Sequence, residues 1–191
     1  MPAPSPIDHY ALFDDVVAVA KNAHGATAGW RAICVRAQRT VGKKVASPLA
    51  ALDLDEEIAP LGVRVRVIAA HAPIEVDTLV FGLFDGVDDD GSGVYTGFHL
   101  MGTTGIDHGA RWLTKTPTWR PKDRFLSSPS LDAIVRAGNE TRGEPKKAVA
   151  HALRFGAAAL LARFAAEGLH QRIVVAFDDG DFAEVRAPLK L

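Results

Sequence analysis

The chain has 191 residues, 48% of them hydrophobic and 24% charged, with a formal net charge of -1. That length fits one domain, residues 1–191, whose core needs no disulfide or metal staple. A single cysteine, Cys34, excludes an internal disulfide framework and a multi-cysteine zinc site, and the near-zero charge excludes a global pull toward nucleic acid or anionic membrane.

Ser5-Pro6 fits a helix N-cap followed by proline at the first helical position. Ile7, Tyr10, Phe13, Val17 and Ala20 then recur at helical spacing, up to a stop at Asn22–Gly25. No basic stretch precedes an apolar core here, so no signal peptide is read and the expected compartment is the cytoplasm. Trp30–Gln38 reads as a strand, with Cys34 as a small buried core residue and Arg31, Arg36 and Arg39 facing solvent at an edge. Ser47–Ile58 reads as a short helix, stopped by Pro60 and Gly62. In VRVRVIAA, Val63, Val65 and Val67 alternate with Arg64 and Arg66, which predicts a one-sided strand.

Thr78–Phe84 and Val94–Met101 flank an acidic, glycine-rich turn and predict a long hairpin. Gly82 and Gly97 within its strands predict a bulge or a close backbone approach. Gly102–Ser128 has no stable period. Ser130 can cap a short helix, Leu131–Ala137. Pro145 opens the longest helix, which ends at Gly168 and carries Val149, Leu153, Gly156, Leu160 and Phe164 on one face. Lys147, His151 and Arg154 read as a solvated basic stripe on its other side, and His151, Arg154 and Arg163 interrupt the apolar run, which argues against a membrane span. The last hairpin turns at Asp179-Gly180. The expected fold is α+β: a mostly antiparallel sheet of about six strands with two long helices packed on it.

Chemistry-bearing residues are densest after the second hairpin strand. His99, Asp107 and His108 are the residue types of an acid–base or metal site, and Arg111 could hold an anionic group beside them; the plain reading is a His99 ring hydrogen-bonded across the sheet and His108 in an Asp-His-Gly turn. Their spacing matches no local metal motif, so no metal and no cofactor is expected. Nucleotide signatures are absent: Val41-Gly42-Lys43-Lys44 lacks the upstream glycine and the following Ser or Thr of a P-loop. Gly102-Thr103-Thr104-Gly105 is either a small anion nest or a plain loop.

Recognition chemistry is better supplied. Asp88, Asp89 and Asp90 crowd one hairpin tip. Trp112, Trp119 and Phe125 interleave with Arg111, Lys115, Arg120, Lys122 and Arg124, opposed by Asp123 alone. Tryptophan and arginine are enriched where proteins grip one another, the same composition serves single-strand nucleic-acid binders, and the plain reading is tryptophans pinning a long loop to the core with arginines covering them. The near-neutral total charge favours a protein partner over nucleic acid.

The order helix, strands, TLVFGLFDG hairpin, YTGFHLMGTTGID, alanine-rich helix and terminal GDFAEV hairpin resembles that of small bacterial α+β proteins of the toxin-immunity type. The resemblance implies a non-catalytic cytoplasmic protein that binds and blocks one toxin. The competing expectation is a small metal- or His-dependent hydrolase centred on His99, Asp107 and His108.

Overall fold

The computed structural model describes residues 8–87, 94–105, 118–177 and 180–189. Four helices come first: α1 (His9–Asn22), α2 (Ala26–Val41), α3 (Lys43–Ala50) and α4 (Asp55–Ala69). Strands β1 (Thr78–Val87), β2 (Val94–Thr103) and β3 (Phe125–Ser127) follow, then α5 (Pro129–Glu140) and the long α6 (Glu144–Ala165). Strands β4 (Arg172–Phe177) and β5 (Phe182–Arg186) close the chain.

Two expected strands are helices. Trp30, Ile33, Cys34, Ala37 and Val41 are buried in α2, a spacing of three and four that only a helix brings to one face. Val35, which the alternating pattern would bury beside Ile33, is exposed. In α4 the buried set is Leu61, Val65, Ile68 and Ala69, while Val63 and Val67 face solvent. The alternation of valine and arginine was a short coincidence inside a longer helical period. Asp55, Glu56 and Glu57 in the first turn of α4 favour the helix dipole, and the helix runs through Pro60 and Gly62 rather than stopping at them.

The helix ends are tied by side chains. Asp8 accepts from the Ala11 N–H at 3.0 Å and starts α1, so the cap is Asp8; Ser5 lies outside the described residues. Asp55 accepts from the Ala26 and Thr27 N–H groups at the start of α2. The Thr27 hydroxyl donates to Asp53 at 2.6 Å and holds that carboxyl below its ordinary pKa. Ser128, not Ser130, caps α5, with Pro129 at its first position. Arg163 donates to the Ala20 and Ala23 carbonyls at the end of α1. Arg186 donates to Ala166, Leu169 and Gln171 beyond α6, and burial depresses its pKa. The chain reverses after α6 at Gly168, whose φ of 84° is left-handed.

Among the described residues the sheet has five strands, in the order β3-β2-β1-β4-β5, where about six were expected. It is mixed rather than antiparallel. β1 pairs antiparallel with β2 over ten residues without a break and parallel with β4. The parallel pair follows from connectivity: α5 and α6 carry the chain back before β4 begins, so β4 runs in the direction of β1. β3 came from the stretch with no period, because three residues are too few to show one.

One sheet face presents Leu79, Phe81, Leu83, Phe98, Leu100, Leu126, Ile173 and Val175 to the helices, and these residues share one core with them. Cys34 sits in that core, and burial pushes its thiol up to about 12. α6 is the central helix. Gly156 lets α1 and α2 approach it, since a Cβ there would meet Ile33 at 3.0 Å and Val16 at 3.1 Å. By length and composition α6 could cross a membrane, yet 78% of its most apolar window is buried within the protein. The opposite, outer sheet face carries a smaller cluster of Val80, Met101, Val174 and Ala176, with Phe182 against it.

Candidate functional site

On the outer face, β1 and β2 alternate glycine and ring. Their register sets Gly82 opposite His99, Phe84 opposite Gly97, and Gly86 opposite Tyr95. Each large side chain therefore faces a strand position with no Cβ. The imidazole of His99 occupies the space a side chain on Gly82 would need, and the phenol of Tyr95 does the same over Gly86. Gly97 has a different reason: a Cβ there would strike the backbone carbonyl of Leu126 in β3. The expected close approach is thus present, and the pairing continues without a bulge.

The rings form one cluster. Phe84 meets Tyr95 edge-on at 5.8 Å and Phe125 at 5.2 Å, and lies 6.3 Å from His99. Arg124 stacks its guanidinium 4.6 Å over Phe125, and Arg64 of α4 donates to the Phe125 carbonyl at 3.0 Å. Phe125 is 51% exposed and Tyr95 38%. Large apolar groups that keep this much contact with water, side by side, need an explanation that a scattered surface leucine does not.

The expected site residues are distributed as follows. Asp88, Asp89, Asp90, Asp107, His108, Arg111 and Trp112 lie outside the described residues. His99 belongs to the outer-face cluster. Trp119 pairs its backbone with Gly102 at 3.0 and 3.1 Å and packs, half-buried, against the main core; Arg120 is exposed. Within the GTTG turn, the Gly105 N–H donates to Asp77 at 2.8 Å and the Thr104 hydroxyl to the Glu75 carbonyl, which makes it a braced loop. Among the described residues no group of three His, Cys, Asp or Glu could hold a metal.

Of the basic stripe expected on α6, Lys147 is solvated, but His151 and Arg154 are not. Arg154 is buried and grips Asp85 with both terminal nitrogens, at 2.7 and 3.1 Å, while also donating to the Phe84 carbonyl and the Thr96 hydroxyl. His151 is stacked between Phe13 and Phe177, at 5.2 and 4.8 Å, with its Nε2 3.1 Å from Asp181. Asp181 and Glu184 of the last hairpin are paired within the molecule, Glu184 with Arg172 at 3.1 Å. Phe84 and Tyr95 escaped the sequence reading; the glycine–aromatic alternation of FGLFDG against YTGFH was the signal that could have found them.

No family model matches the chain, and neither does any curated protein or solved structure. Surface chemistry alone therefore carries the functional reading.

Proposed function

We propose that this chain is a non-catalytic binding protein that grips one partner protein through the outer face of its sheet, around Phe84, Tyr95, His99, Phe125 and Arg124. The observation that carries the reading is the exposed aromatic cluster with a guanidinium stacked on it. Aromatic residues and arginine are the types enriched in interface cores, where they bury much area at low entropic cost. A strand pair supports the cluster through its full register, so the surface is held in shape before the partner arrives. The narrower form of the proposal is a toxin-immunity protein that blocks its partner.

A photo-crosslinking residue placed at Phe125 in the native host tests it. One adduct of defined mass is expected, absent when the residue replaces the exposed Val35 on α2. Phe125→Ala should weaken the purified complex about tenfold, roughly the 1–2 kcal/mol of an interface hot spot. Equal labelling from both positions, or none from either, removes the reading. For the immunity form, co-expression should relieve the toxicity of the captured partner, and Phe125→Glu should abolish that relief.

A further inference from the structure

Helix α4 is apolar on two sides. Its buried stripe holds Leu61, Val65, Ile68 and Ala69. On the opposite side Pro60, Val63, Val67 and Ala70 repeat at intervals of three and four, and all are exposed, Val63 by 55% and Val67 by 59%. One aliphatic side chain in water is ordinary, but a row of them along about three turns has the spacing of a helix-pairing seam. Glu56 lies on the same line one turn before Pro60, so the apolar footprint begins at Pro60.

Cations stand on both borders of this seam. Arg64 and, two turns on, His71 lie along one border; Ala59 and Arg66 lie along the other. All four are exposed, and no acid occupies a border position between Ala59 and His71. Arg64 donates to the Phe125 carbonyl, and among the described residues neither arginine has a carboxylate partner. The cleft between α6 and the sheet lacks this feature, since Lys147, His151 and Arg154 there face Glu144, Asp181 and Asp85. We propose that the α4 seam docks an amphipathic α-helix of a partner protein, apolar along one face and acidic on both borders.

Charge decides the occupant. Residues beside a helix seam set which helix pairs there and in which orientation. Two copies of α4, parallel or antiparallel, would bring only arginine, histidine and alanine together along the borders. Cation would then face cation, which disfavours a second copy. Glutamate or aspartate on the incoming helix answers Arg64 on one border and Arg66 on the other, while its apolar face covers Val63 and Val67. The seam borders the outer sheet face through Arg64 but does not use the rings there, so it stands whether or not a partner grips that face.

Two synthetic helical peptides of about 20 residues are the probes, each with leucine along one face. One carries glutamate on both borders and the other lysine, and like charges keep either from pairing with itself. Titrated into the full ¹⁵N-labelled chain, the glutamate peptide should shift the amides of Val63, Arg64, Val67 and Ala70 together and saturably. It should bind about tenfold more tightly than the lysine peptide, a ratio that added salt shrinks. Val67→Glu should weaken the glutamate peptide about tenfold and leave the melting temperature of the free chain unchanged, because that side chain is exposed. Arg66→Glu should bring the two affinities close together. Equal binding of the two peptides, shifts confined to other elements, or full affinity in Val67→Glu would overturn the assignment. It also falls if sedimentation shows the free chain to be a dimer that Val67→Glu splits, because a second copy then holds the seam.

Discussion

Arg154 illustrates how a single residue changes meaning with burial. A guanidinium taken out of water must be paired on most of its donors, and removing the partner costs more than the pair itself is worth. Asp85→Ala is therefore expected to destabilise the fold by about 2 kcal/mol, less than for a fully buried pair because the carboxylate is half exposed. Removing both charges in Asp85→Ala/Arg154→Met should recover much of that loss; urea denaturation of the three proteins checks the ordering. Two other side chains report their surroundings chemically. Burial keeps the Cys34 thiol protonated, so a thiol reagent should leave the native protein untouched at neutral pH and label it fully in denaturant. Asp53 has a folded pKa below its unfolded one. It stabilises the fold above the ordinary carboxylate range, about pH 4, and that contribution is lost as pH falls through the folded value. Thr27→Val removes the largest cause of the shift, so an NMR titration should move the Asp53 midpoint upward, while an unmoved midpoint would assign the effect elsewhere.

At the scale of elements, three of the four glycines in the hairpin of β1 and β2 divide between two different jobs. Gly82 and Gly86 make room for rings, which can turn aside; Gly97 makes room for a neighbouring strand's backbone, which cannot. Gly97→Ala should cost about 2 kcal/mol and loosen β3, whereas Gly82→Ala should cost under about 1 kcal/mol and be relieved by His99→Ala. Thermal denaturation of the four variants measures this, and equal costs for Gly82 and Gly97 would contradict the distinction. The same contrast explains the errors in reading elements. A window of six to eight residues suffices for alternating strands that are truly half-buried, such as β5. It misleads at Val63–Val67, where a helix longer than the window places every second valine in water.

For the whole molecule, the outcome is a sheet whose central strands are paired on both sides and whose best-buried helix lies across them. β1 lies between β2 and β4, and α6 contributes ten buried residues over Arg154–Ala165. Hydrogen exchange should therefore be slowest in β1, β4 and α6, and much faster in the three-residue β3 and in α3. Slow exchange in β3 equal to that of β1 would refute this ordering. The long hairpin, α5, α6 and the final hairpin were legible from the residues because their turn signals are local: Pro145, Gly168 and Gly180 impose backbone geometry on their immediate neighbours, whereas the cap of α5 was read two residues late. The candidate sites were legible only in fragments. His99, Phe125 and Arg124 stood out as residue types, but Phe84 and Tyr95 joined them through strand register.

The amino-acid order by itself determined the turns at Gly168 and Gly180 and which apolar runs of the hairpin and the long helix would be buried. Tertiary structure alone decided the parallel placement of β4, the burial of Arg154 and the meeting of five side chains on the outer face. Local signals act through bonded neighbours and helix periods. Pairing between residues 69 positions apart depends instead on how whole elements pack, as when Arg154 of α6 finds Asp85 of β1 only after the helix has crossed the sheet.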